Sequence, residues 1–175
     1  MQHRKIVLHI FGATIFSWYY WFCIINPTTW HLVDTINLVF HEAGHAICIF
    51  FPSLITALAG STFQILIPTV CAIYFYRRRE VVSGHLLLLW VAQNMVSVSI
   101  YIRDAVPMQL PLLGGDSSIH DWNFILGQLG ILTWSATLAN LLLAAAYLTA
   151  LTATFRTIRY FVLQYKTATI EKVRP

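Results

Sequence analysis

Charge is the scarcest property of this chain. Of its 175 residues only 10% are Asp, Glu, Lys or Arg, whereas 58% are hydrophobic, and the mean hydropathy is positive. Soluble domains carry about 25% charged residues, so a water-facing globular fold is excluded and a polytopic membrane protein is expected. Cysteine is scarce too. Cys23, Cys48 and Cys71 each fall inside an apolar run, where a thiol serves as a small apolar filler rather than as half a disulfide or a metal ligand. Internal repeats, low-complexity tracts and a separate soluble domain are all missing, and there is too little loop to build one. The net charge of +4 is no sign of a nucleic-acid partner. Its basic residues gather at the ends of apolar runs, where they anchor to lipid headgroups and set orientation.

What remains is a series of apolar runs long enough to cross a bilayer. They predict an all-α membrane helix bundle of about five spans in a single embedded domain, near 6–25, 32–51, 58–76, 81–102 and 134–157. The first run follows Arg4 and Lys5, as a signal peptide would. Its length, its aromatic block Trp18-Tyr19-Tyr20-Trp21-Phe22 and the lack of a small-residue cleavage site favour an uncleaved anchor, with the aromatics at an interface. His9 reads as a packed or interfacial histidine. The third run has a soft start at Gly60-Ser61 and contains Pro68, so a short irregular or re-entrant piece is expected ahead of the span. Gln64 and the Gly60-Ser61 pair either line a site or serve helix packing. Arg77-Arg78-Arg79-Glu80 is a hard stop. In the fourth run Gln93 and Asn94 place an amide pair at mid-membrane, which needs a neighbouring helix or an extended peptide as partner. His85, near the basic end, reads as interfacial.

The chemistry concentrates in His41-Glu42-Ala43-Gly44-His45, inside the second run. Positions four apart stack on one helical face, so His41 and His45 can aim two imidazole nitrogens at one metal ion, with Glu42 beside them. Neutral imidazoles bind zinc without cancelling its charge, a third ligand completes the site, and an open position holds a water. Zinc lowers the pKa of that water and Glu42, as catalytic base, takes its proton. Ionisable groups within hydrocarbon are costly and functional by default. Ala43 and Gly44 are small enough for a backbone or a substrate to approach closely.

The third ligand must come from His, Asp or Glu, and the loop 103–121 offers Asp104, Asp116, His120 and Asp121. Asp104 can instead form a surface pair with Arg103 or lie near substrate, as can Asn94. Asp116, Ser117 or Ser118 can cap a short helix over 119–130. Of the adjacent pair, Asp121 is favoured, with His120 the alternative and either one able to orient the other.

These residues resemble the site-2 protease family of intramembrane zinc metalloproteases. The likeness lies in the His41–His45 motif within a span and in the proline-glycine stretch Leu110–Gly115 followed by Asp. It implies His41 and His45 as zinc ligands, an aspartate as the third, and Glu42 as the group that activates water to cut a peptide bond within the membrane. The family's aspartate stands in a Leu-Asp-Gly motif; this chain has Leu113-Gly114-Gly115, with Asp at Asp116 and Asp121. A zinc metalloprotease acting on a membrane protein or peptide is therefore expected, and a non-catalytic metal-binding scaffold or transporter-like bundle is the alternative. Counting Lys and Arg places the 77–79 loop and the C-terminal tail in the cytoplasm and the site loop outside, in a multi-pass protein of the cell membrane.

Overall fold

Long apolar stretches without helix breakers satisfy their backbone only internally, and in hydrocarbon that leaves helices or closed barrels. The computed structural model, which describes residues 2–111 and 119–173, is helical throughout its described elements. Helix α1 runs Gln2–Ile25, α2 Leu32–Ile47, α3 Ser53–Arg77, α4 Val81–Arg103, α5 Asp121–Gln128 and α6 Ser135–Val173, with a 3-10 turn Leu132–Trp134 before α6. Four helical segments are long and apolar enough to cross a membrane: Ile6–Ile25, Ser53–Arg77, Val81–Arg103 and Leu132–Thr167.

The expected span over 32–51 is cut short. Helix α2 ends at Ile47 with the Cys48 N–H bonded back to Gly44, and Pro52 stands as the N-cap of α3. Sixteen residues rise about 24 Å, less than the hydrocarbon core of about 30 Å. The irregular piece expected before residue 58 is absent, because α3 is one continuous helix with Pro68 inside it. A proline frees the carbonyl of the preceding turn. Next to it the Thr69 hydroxyl donates back to the Ile65 carbonyl at 2.7 Å, within its own helix. At the other end the basic tail stays helical to Val173, well beyond the expected limit near 157.

Helix α4 is the hub. Half of its apolar window is buried, against 17% for α1 and 22% for α6. Ile24, Leu89, Ala92, Val96, Ala146, Ala150 and Ala153 form one core between α1, α4 and α6. The alanines of α6 recur at four- and three-residue intervals, which lets two backbones come close where lipid supplies no hydrophobic drive. The opposite faces carry Phe11, Phe16, Leu148 and Phe155 outward, as a lipid-facing surface requires.

Polar side chains tie α2 to α4. Gln93 donates to Asp34 at 2.8 Å and accepts from Asn37 at 2.7 Å, and Trp90 donates to Asn37 at 2.8 Å. Gln93 thus finds its partners on a neighbouring helix, whereas Asn94 is fully buried and donates to the Trp90 carbonyl of its own helix. The aromatic block of α1 is divided between two surroundings. Trp18 is exposed, but Trp21 donates to Thr154 of α6 and the Tyr19 hydroxyl accepts the Val33 N–H. His85, near the basic end of α4, is buried against the Tyr76 ring, while His9 is exposed. The three cysteines are free.

Candidate metal centre

Glycine lets α2 and α3 touch. A Cβ at Gly44 would overlap the Ala59 backbone, so only glycine permits this separation of the two helices. The polar face of α2 follows helical spacing from Asp34 through Asn37 and His41 to His45, and it looks toward α3 and α4.

Both imidazoles are oriented by a partner on α3. The His45 Nδ1 lies 2.8 Å from the Thr56 carbonyl, which only accepts, so this nitrogen carries the proton. The His41 Nδ1 lies 3.1 Å from Gln64 Oε1, and the Gln64 amide NH₂ is turned to Ser97 at 3.4 Å. Each ring therefore presents a bare Nε2 inward. Asp121, the first residue of α5, brings its Oδ2 to 3.0 Å from His41 Nε2 and 3.2 Å from His45 Nε2. Three acceptor atoms thus converge, all within 4.8 Å of one another. A proton on one imidazole would serve one of these contacts; a cation between them serves all three. Bonds of about 2.0–2.1 Å in a tetrahedral site separate ligand atoms by about 3.3 Å, close to the 3.0 and 3.2 Å from Asp121 Oδ2 to the two imidazole nitrogens.

Space for an ion is left by Gly60. A Cβ there would stand 2.5 Å from His45 Nε2 and 2.6 Å from His41 Nε2, crowding the two nitrogens that face Asp121. The neighbouring Ser61 accepts the Trp122 indole N–H at 3.0 Å, docking α5 on α3 next to Asp121. The Gly60-Ser61 pair thus both lines the centre and packs the helices.

His120 does not join His41 and His45. It is buried as the N-cap of α5, where its Nδ1 accepts the Asn123 N–H at 3.2 Å. Its Nε2 then donates to Asp104 Oδ2 at 3.2 Å. Asp104 also accepts the N–H groups of Gln109 and Leu110 at 2.9 and 3.0 Å. It is a buried clasp for the chain before α5 rather than a surface pair with Arg103. The expected caps Asp116, Ser117 and Ser118, and the Leu113-Gly114-Gly115 segment, lie outside the described residues. The short helix starts at Asp121, two residues later than expected, because His120 supplies the cap. Asn94 borders neither cavity beside the centre.

Two cavities meet there. One of about 650 Å³ is walled by His45, Phe51, Thr56, Ile119, Asp121 and Phe124 among others. The other, of about 400 Å³, reaches past Asp34, Asn37, Gln64 and Gln93 toward the turn after α1. His41, the exposed Glu42 and Tyr101 border both. Tyr101 was not among the residues singled out in the sequence. The signal was available: Gln93, Ser97 and Tyr101 recur every four residues, making a polar stripe on an otherwise apolar helix. No family model, no curated protein and no solved structure matches this chain.

Proposed function

We propose that the protein is a membrane-embedded zinc metalloprotease in which His41, His45 and Asp121 hold the metal and Glu42 is the catalytic base. The observation that carries this reading is the convergence of three bare acceptors, with both histidine Nδ1 protons already committed to Gln64 and Thr56. Two imidazoles and one carboxylate are a donor set that suits zinc and leave a fourth position open. Zinc held there would polarise water and a peptide carbonyl. Glu42, exposed beside His41 and open to both cavities, takes the proton from the attacking water and returns it to the leaving amine. A purely structural metal site has no use for a carboxylate in that place, which favours an enzyme over a scaffold.

The substrate is a membrane protein or peptide, and α2 is a short fifth crossing. Ile49, Phe50 and Phe51 follow α2 with exposed apolar side chains, Phe50 at 96%, so the turn itself is suited to lipid and a modest local thinning of the bilayer covers the mismatch. The 77–79 turn and the C-terminal tail are cytoplasmic by their positive charge, in the cell membrane.

The test is the purified protein against its Glu42→Gln variant. Zinc is expected in both. Cleavage of a membrane-spanning peptide is expected to fall by about 10²–10⁴-fold in the variant, the usual worth of general base catalysis. Equal cleavage by the two proteins overturns the hydrolase reading, and loss of zinc from neither His41→Ala nor His45→Ala overturns the metal site.

A further inference from the structure

We infer that Tyr101 is a catalytic residue that donates its phenolic hydrogen bond to the oxyanion formed when the peptide carbonyl is attacked. The inference rests on the protease reading and extends it by one residue.

Peptide hydrolysis builds negative charge on the carbonyl oxygen. Water's oxygen bonds to the carbonyl carbon, its proton goes to Glu42, and the carbon–oxygen π pair moves onto the carbonyl oxygen. Collapse re-forms the carbonyl and breaks the C–N bond, and the amine takes the proton from Glu42. A donor aimed at the oxygen, fixed before the reaction begins, stabilises the charged stage without reorganising at that moment.

Tyr101 meets this description by position, orientation and default. It stands at the end of α4 on the wall common to both cavities, a place shared only with His41 and Glu42 among their lining residues. Its hydroxyl oxygen accepts the backbone N–H of Asp121 at 3.0 Å, one residue's reach from the metal ligand. With the oxygen engaged as acceptor, the hydroxyl proton is left to donate, either to the nearby Asp121 carboxylate or to a group bound in the cavity. The ring is held between His120, at 4.4 Å between centroids, and His41, at 5.8 Å, and His120 is itself locked to Asp104. The donors nearest the two imidazoles are occupied. The histidine Nδ1 protons go to Gln64 and Thr56, and the Thr56 hydroxyl donates to the Cys48 carbonyl at 2.8 Å. Among the described residues neither cavity has a Lys or Arg in its wall.

The rival role for the same hydroxyl is to donate to the Asp121 carboxylate and merely position it. Tyr101→Phe separates the two. With a membrane-spanning peptide as substrate, the variant is expected to keep its zinc content and KM while kcat falls about 10²–10³-fold, as when one oxyanion donor is removed. Its affinity for a phosphinic peptide, which mimics the tetrahedral stage, is expected to fall with kcat. Unchanged kcat overturns the inference. Loss of zinc in parallel with kcat also overturns it, making Tyr101 a positioning residue for Asp121. Should Tyr101→Phe fail to fold, fluorotyrosine at position 101 keeps shape and hydroxyl. A several-fold change in kcat at equal zinc content then supports donation, and no change overturns it. Cleavage that needs Glu42 but not Tyr101 sinks this inference alone, whereas no cleavage by the wild type removes the protease reading with it.

Discussion

Gly60 of α3 faces His45 of α2 so closely that a Cβ on the glycine would lie 2.5 Å from the imidazole Nε2. The hydrogen atom of one glycine is thus what keeps the centre open. Gly60→Ala removes no ligand and leaves helix propensity better than before, yet it is expected to abolish zinc binding. Metal analysis of the purified variant, with circular dichroism to show that the helices persist, checks this. Full zinc occupancy would mean that the ion does not sit between the two histidines.

The same centre ranks its candidate third ligands. Asp121→Asn is expected to lower zinc affinity strongly, because Oδ2 faces both imidazoles. His120→Ala is expected to lower it less, since that ring serves Asp104 and the start of α5. Competition with a chelator of known affinity gives the order. A larger loss in His120→Ala would transfer the role.

Gln64 touches no ion but fixes the ring that would. Removing such a partner of a ligating histidine typically costs 10–100-fold in metal affinity, so Gln64→Leu is expected to fall in that range. Ser97→Ala should do less, because Ser97 acts on His41 only through the Gln64 amide at 3.4 Å. The same chelator competition reads both, and equal losses would contradict the relay.

Orientation follows from charge. In a variant freed of Cys23, Cys48 and Cys71, a cysteine at Met108, an exposed position before α5, is expected to react with a membrane-impermeant maleimide on intact cells. One at Arg78 is expected to react only after permeabilisation. The opposite pattern would invert the assignment.

Composition and period determined much of this protein before any folding was considered. Too little charge and long apolar runs leave helices as the way to satisfy a backbone in hydrocarbon, and the span limits near Arg77 and Arg103 were legible to within a residue or two. The four-residue spacing of His41 and His45 placed both imidazoles on one face, because side-chain direction along a helix is a local property. Helix ends at Pro52 and His120 were less legible. They depend on which nearby group takes the free backbone N–H, and several residues in each stretch could have done so.

What tertiary structure alone decided is the identity of the groups around that face. Asp121 and His120 are adjacent and both can bind a metal, so their order of merit is not a property of sequence. It is set by Asp104, which draws His120 inward and leaves Asp121 facing the histidines. Gln64 and Gly60 reach the centre from α3, through its close contact with α2 at Gly44, and Tyr101 reaches it from α4. The physical reason is general: a helix specifies its own faces, but which face of another helix lies opposite depends on packing summed over the whole bundle.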